Sequence, residues 1–135
     1  MVKIGILGST GRVGSLLIDD LQNDKDAKLS AVHVTSKLLK TLPQDTIVTN
    51  DIKVLFDSCD VIIDFSKPSG TEALLTEVIE NGAKKPLVIA TTGLNKHQQN
   101  LLLEASKLVP ILYATNMSLG VAVLNKLVTL ASKTL

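Results

Sequence analysis

Three glycines set three residues apart, Gly8, Gly11 and Gly14, follow directly on the mostly apolar run Val2, Ile4, Ile6 and Leu7. Peptide N–H groups in such a loop can approach a phosphate with no Cβ in the way, and the helix that follows offers unpaired donors and a partial positive charge at its start. Ser9 and Thr10 add hydroxyl donors and Arg12 a charge, while Val13 opens the helical pattern. The chemistry that fits is the holding of a dinucleotide pyrophosphate. In that reading Gly8 makes the tight turn, Gly11 admits the ligand, and Gly14 lets the helix pack close to the sheet. The spacing G-x-x-G-x-x-G is one residue longer between its first two glycines than the dinucleotide fingerprint. Taken alone, it also fits a glycine-rich turn with no ligand.

A second place bears on the ligand. An acidic residue about 20 residues beyond the glycines takes the ribose hydroxyls of NAD, whereas a basic or small polar residue suits a 2′-phosphate. The run Val34-Thr35-Ser36-Lys37 contains no carboxylate. It leans towards NADP(H), with Lys37 as the charge and Thr35 and Ser36 as hydroxyl donors; an ordinary solvated loop lysine is the plain alternative.

The elements that must position these groups alternate regularly. The pattern predicts a helix from about Arg12 to Asn23 with Val13, Leu16, Leu17 and Leu21 facing the sheet. Strands are predicted at Leu29–Val34, Val61–Phe65, Leu87–Thr91 and Pro110–Ala114, with a short one at Ile47-Val48. Asp51 is placed to cap a short helix carrying Ile52, Leu55 and Phe56. A further helix from about Ser69 stops at Gly82, and Asn95 with Gln98 reads as a capping box opening a helix to Lys107. A last long helix starts near Ser118, with Leu119, Val123, Leu127 and Leu130 on one face. Strand–helix alternation with right-handed crossovers implies an α/β, doubly wound Rossmann-type parallel sheet with helices on both faces. In such sheets ligands bind outside the carboxyl ends of the strands, which brings Asp64, Phe65 and Ser66 near the glycine loop.

Composition narrows the partners. The 135 residues suit one domain, 45% are hydrophobic but only 2% aromatic, and the net charge is +1 with scattered basic residues. Neither stacking platforms nor a basic footprint for nucleic acid is present. No apolar stretch reaches the roughly 20 residues that span a bilayer, and no leader pattern is visible, so the expected location is cytoplasmic. Cys59 is the only cysteine, so no intramolecular disulfide forms. His33 and His97 are the only histidines and are read as a strand residue and a solvated helix residue without chemical roles; no metal site is predicted.

Four segments together resemble a known family. Gly8-Ser-Thr-Gly-Arg-Val-Gly14, Ile63-Asp-Phe-Ser-Lys-Pro-Ser-Gly-Thr71, Ala90-Thr-Thr-Gly93 and Ala114-Thr-Asn-Met-Ser-Leu-Gly120 are similar, in order and approximate spacing, to the dihydrodipicolinate reductases of bacterial lysine and diaminopimelate biosynthesis. The resemblance spans nearly the whole chain. It implies reduction of the cyclic product of dihydrodipicolinate synthase to tetrahydrodipicolinate by a nicotinamide hydride, with NADPH or NADH as cofactor. It further implies that Gly8 to Val13 hold the pyrophosphate and that Val34 and Thr35 meet the adenosine ribose. By the same resemblance Ala90, Thr91, Thr92, Ala114, Thr115, Asn116 and Met117 line the nicotinamide side.

This sequence departs from the family pattern at two points. Ala90 stands where a glycine commonly precedes the two threonines, and Met117 where an aromatic follows the asparagine. The resemblance also implies a further substrate and tetramerisation domain with His-His-x-x-Lys and Ser-Gly-Thr elements. Neither element occurs in residues 1–135, so the expectation is one dinucleotide-binding domain with no catalytic residue of its own. Two other readings stay open: a stand-alone NAD(P)-binding sensing or interaction module, and another small oxidoreductase. Against a short-chain reductase, Tyr113 has Met117 where the lysine of a Tyr-x-x-x-Lys pair would fall.

Overall fold

A computed structural model describes residues 1–36 and 40–134. Six strands, β1 (Val2–Leu7), β2 (Ala27–His33), β3 (Ile47–Thr49), β4 (Val61–Asp64), β5 (Leu87–Ile89) and β6 (Ile111–Tyr113), form one sheet in the order β3-β2-β1-β4-β5-β6. Every pairing is parallel. The strand order reverses between β1 and β4, which makes their carboxyl ends the topological switch point of a Rossmann-type sheet.

The helices are α1 (Arg12–Asn23), α2 (Ile52–Asp57), α3 (Pro68–Asn81), α4 (Lys96–Ala105) and α5 (Leu119–Thr134). Successive strand residues point to opposite faces, and two apolar clusters follow from that. On one face Leu7, Ala31, Ile62, Leu87 and Ile89 pack with Leu55 and Phe56 of α2, Leu74, Leu75 and Val78 of α3, and Ala105 of α4. On the other, Ile4, Ile6, Leu29 and Val32 pack with Ile18 of α1.

The predicted inward stripe of α1 requires correction. Val13 and Leu16 are exposed; the buried residues are Gly14 and Ile18, with Leu17 and Leu21 packed beside them. The helix is rotated because Gly14 is drawn onto the glycine loop. Strand β2 starts earlier than predicted, at Ala27, where Asp24 Oδ1 accepts from the N–H groups of Asp26 and Ala27 and turns the chain directly into the sheet. It ends at His33, which leaves Val34 beyond the strand.

Local signals elsewhere hold. Asp51 caps α2 by accepting from Lys53 N, and Gly82 closes α3 in the left-handed region at φ 71°. Asn95 Oδ1 accepts from Gln98 N while Asn95 N donates to Gln98 Oε1, each at 2.9 Å, a complete capping box. Replacing Asn95 by alanine removes one of these bonds and is expected to cost about 1 kcal/mol of stability, read as a lower urea midpoint with unchanged slope. An unchanged midpoint would contradict the cap.

Cys59 is buried against β1, its Sγ donating to Leu55 O at 3.1 Å, and burial pushes the thiol up to about 11. Helix α5 behaves differently from the rest. Leu119, Val123, Leu127 and Leu130, expected to form one apolar face, are all exposed, and α5 buries no residue. Among the described residues no helix is long and apolar enough to cross a membrane.

Candidate dinucleotide site

The glycine loop joins β1 to α1 at the switch point, and its backbone explains its sequence. Gly8 has φ +87°, and a Cβ there would lie 2.6 Å from both the carbonyl carbon and oxygen of Phe65 and 2.7 Å from Ser66 N. Only a residue without a side chain fits both the conformation and the contact. A Cβ on Gly14 would fall inside contact distance of the Gly8 carbonyl oxygen and 2.9 Å from Ser9 Cα. Gly14 therefore seats α1 on the loop's own backbone, and not on the sheet as its spacing predicts. Gly11 N donates to Gly8 O at 3.0 Å and Ser15 N to Gly11 O at 2.9 Å, closing the turn into the helix.

The β4–α3 loop is held from below. Asp64, fully buried at the end of β4, accepts from Ser66 N at 2.8 Å through Oδ1 and from Thr71 Oγ1 at 2.5 Å through Oδ2. One carboxylate thus fixes both the loop and the first turn of α3. Asp64 supports the wall and does not itself line the cavity. Ser66 lies above it, and Thr91 Oγ1, at the end of β5, approaches Ser66 O at 3.5 Å.

Between the two loops lies a cavity of about 270 Å³. Of the residues singled out from sequence, Gly8, Thr10, Gly11, Thr35, Phe65 and Ser66 line it. Ser9 is buried, and its hydroxyl donates to His33 O at 2.8 Å, tying the loop to β2 rather than facing a ligand. Arg12 and Val13 are exposed at the head of α1. Val34, Thr35 and Ser36 border a separate shallow depression with Val48, Thr49 and Asn50. Ala90 and Thr91 are buried, Thr92 is exposed, and all three follow β5. Ala114 to Met117 follow β6, where Ala114 N donates to Ile89 O at 3.1 Å and Asn116 Oδ1 accepts from Ser118 N at 2.9 Å. These two segments share the carboxyl edge of the sheet with the cavity but do not line it. Lys37 lies outside the described residues.

The structure adds Leu7, His33, Lys67, Ser69 and Gly70 to the cavity wall. Lys67 and Ser69 follow from topology, since any loop leaving β4 faces the glycine loop across the switch point. Two features favour an anion there. The N-caps of α1 and α3, Gly11 and Lys67, make no side-chain cap, so two helix starts converge on the cavity with first-turn donors unclaimed by side chains. Lys67 and Arg12 add positive charge, whereas Lys40 Nζ is committed to Ser15 O, Ser15 Oγ and Asp19 at 2.6–2.8 Å. Among the described residues no group of three or more His, Cys, Asp or Glu side chains is arranged to hold a metal ion. His97 is solvent-exposed, 3.7 Å from Glu72.

Sheet order and glycine loop define a Rossmann-type α/β domain with a crevice between the glycine loop and the β4–α3 loop. The chain belongs to the dihydrodipicolinate reductase family: the family profile described as "Dihydrodipicolinate reductase, N-terminus" matches residues 2–117. A relative from Wolinella succinogenes, named 4-hydroxy-tetrahydrodipicolinate reductase, is 55% identical over 135 residues, covering 100% of this chain and 52% of the relative. A relative of the same name from Helicobacter hepaticus is 51% identical with the same coverage. The chain therefore spans about half the length of these relatives. Among solved structures, a dipicolinate-bound dihydrodipicolinate reductase from Paenisporosarcina sp. TG-14 has a similar fold, with TM-score 0.78 and 22% identity over 98% of this chain and 54% of that one. A Plasmodium falciparum pyrroline carboxylate reductase with NADP bound shares the sheet more loosely, with TM-score 0.56 and 23% identity over 81% of this chain and 38% of that one.

Proposed function

We propose that this chain is the NAD(P)H-binding part of a 4-hydroxy-tetrahydrodipicolinate reductase, acting in lysine and diaminopimelate biosynthesis. The observation that carries the reading is the backbone contact of Gly8 with Phe65 and Ser66 at the switch point, in a chain whose family profile covers residues 2–117. The first turn of α1 and the Gly8–Gly11 backbone would hold the pyrophosphate, with Ser66 and Lys67 closing the opposite wall. The cavity is smaller than the roughly 300–1,000 Å³ usual for ligand pockets, so it suits the adenosine and pyrophosphate half of a dinucleotide. The nicotinamide half would extend over the ends of β5 and β6, past Ala90 to Thr92 and Ala114 to Met117.

Between the two cofactors we favour NADP(H). No carboxylate follows β2, and Thr35 and Lys67 both line the cavity. When bound, the reduced nicotinamide supplies the hydride. In this reading the chain's own residues bind and orient it, and we assign to none of the described residues the anchoring of a diacid substrate or the donation of the accompanying proton. That work belongs, in this proposal, to the half of the relatives' length that the chain does not span. The bare apolar surface of α5 supports it, since a helix apolar on several sides is built for burial. A cytoplasmic homotetramer is the expected form of such a full-length protein.

The test is turnover. The purified chain mixed with NADPH and substrate is expected to bind cofactor but oxidise it at no more than about a hundredth of the rate of a full-length relative, a loss in the range general acid catalysis supplies. Turnover at the full-length rate would refute the division of labour. Tight cofactor binding with no turnover even beside the second half of a relative would favour a binding module without catalysis.

A further inference from the structure

We infer that Gln98 is a positioning residue for the cofactor: its side-chain amide ties the β5–α4 loop to α3, so that the nicotinamide side and the phosphate side of the crevice are held as one unit. The inference rests on the placement of the nicotinamide over the end of β5 proposed above.

The loop from Ala90 to Asn95 is anchored at both ends. At its start Ala90 N donates to Asp64 O at 2.9 Å, continuing the ladder between β4 and β5. At its exit two glutamines of α4 hold it: Gln99 Nε2 donates to Leu94 O, and Gln98 Oε1 accepts from Asn95 N, each at 2.9 Å. Between these anchors Thr92 and Gly93 are exposed, and a Cβ on Gly93 would meet nothing within 4 Å. The exposed tip therefore takes its position from its ends.

Gln98 does more than close the loop onto its own helix. A capping box needs an acceptor at the third helical position, and glutamate supplies one as well as glutamine. The amide nitrogen is not needed for the cap. Here it crosses to the neighbouring helix and donates to Glu72 Oε2 at 2.8 Å, from a residue only 5% exposed. Both ends of one buried amide are committed, Oε1 to the loop and Nε2 to α3.

Glu72 carries the tie to the cavity. It follows Thr71, whose hydroxyl donates to the buried Asp64 carboxylate, and the same carboxylate accepts from Ser66 N. Ser66, Ser69 and Gly70 line the cavity. The nearer contact between the two loops, Thr91 Oγ1 to Ser66 O, is 3.5 Å long. Hydroxyl hydrogen bonds run to about 3.0 Å, so the Gln98–Glu72 bond is the stronger link. The other oxygen of Glu72 faces His97 Nε2 at 3.7 Å, which leaves Oε2 to Gln98. Sliding of α4 against α3 would alter the spacing of the two subsites, and this bond opposes it.

Two ligands separate positioning from folding. NADPH occupies both subsites, whereas ADP-ribose 2′-phosphate, the same molecule without its nicotinamide, leaves the second empty. Dissociation constants for both are measured by calorimetry near pH 8, where carboxylates are ionised. Gln98→Glu keeps the cap acceptor and sets a second carboxylate against Glu72. NADPH binding is expected to weaken about fivefold relative to ADP-ribose 2′-phosphate, the low end of coupling between sites. The added negative charge acts on both ligands alike, so the ratio cancels it. Glu72→Ala removes the acceptor from the half-exposed partner and should lower the ratio as well, independently of how Gln98→Glu folds. The double variant Gln98→Glu/Glu72→Gln exchanges donor and acceptor and should restore the ratio. A ratio unchanged in Gln98→Glu or Glu72→Ala, or a double variant as impaired as Gln98→Glu, overturns the inference alone.

The unmodified chain tests the reading beneath it. NADPH should move the amide signals of Thr91, Thr92 and Gly93 further than ADP-ribose 2′-phosphate does. Equal shifts with the two ligands overturn the placement of the nicotinamide, and the inference with it. Failure to bind either ligand overturns the reading of the cavity itself.

Discussion

Replacing Gly8 by alanine is expected to abolish dinucleotide binding and to destabilise the fold by roughly 2–5 kcal/mol. That figure combines a left-handed backbone forced on an L-residue, about 1–2 kcal/mol, with overpacking of about 1–3 kcal/mol. The new Cβ would sit 2.6 Å from the Phe65 carbonyl group and 2.7 Å from Ser66 N. Those are backbone atoms of the facing loop and cannot swing aside as a side chain can. Either β1 and β4 separate at their carboxyl ends, or the two loops part and the cavity between them opens. A comparison with Gly82→Ala separates the two contributions. Gly82 also has positive φ, at 71°, but a Cβ there meets nothing within 4 Å. Urea denaturation should show Gly82→Ala losing only the conformational part and keeping full cofactor affinity. Equal losses in the two variants would mean that the contact between the loops is unimportant.

Replacing Asp64 by alanine is the second large effect. The carboxylate is fully buried and accepts from both Ser66 N and Thr71 Oγ1. Its removal leaves a backbone N–H and a buried hydroxyl without their acceptor and opens a small void. Hydrogen bonds to charged groups are worth about 1.5–3 kcal/mol each, so a loss of roughly 3 kcal/mol or more is expected. Asp64→Asn should lose less, because the amide oxygen still accepts from Ser66 N and the amide nitrogen can turn to the Thr71 hydroxyl. If the pair of bonds sets the loop, cofactor affinity should fall in the same order, Asp64→Ala before Asp64→Asn. An Asp64→Ala chain with unchanged midpoint and unchanged affinity would show that the β4–α3 loop is held by something else.

How much of this was legible beforehand depends on whether the signal was local. The glycine loop, the Asn95–Gln98 box, the Asp51 cap and the bounds of α1 are written in neighbouring residues, and each appears where its chemistry placed it. The inward stripe of α1 was misread because two stripes share the period. One runs through Val13 and Leu16, the other through Gly14 and Ile18. Gly14 decides between them by touching Gly8 and Ser9, a contact invisible in helical periodicity.

The site shows the same division. Gly8, Thr10, Gly11, Thr35, Phe65 and Ser66, which motif and position single out, line the cavity. His33 and Lys67 were passed over because a strand-end histidine and a loop lysine carry no local pattern. They join the site only when β2 and the β4–α3 loop are brought beside the glycine loop. The apolar residues of α5 were legible as a stripe, but their exposure belongs to tertiary structure.

The central claim is that the crevice between the Gly8–Gly14 loop and the β4–α3 loop holds the pyrophosphate half of a dinucleotide. The direct measurement is titration of the ¹⁵N-labelled chain with NADPH, following backbone amide signals. The account requires the largest shifts at Thr10 to Val13 and Phe65 to Gly70, with smaller ones at Thr91, Thr92 and Ala114 to Met117 and none along α5. Shifts confined to α5, or none at saturating NADPH, would contradict it.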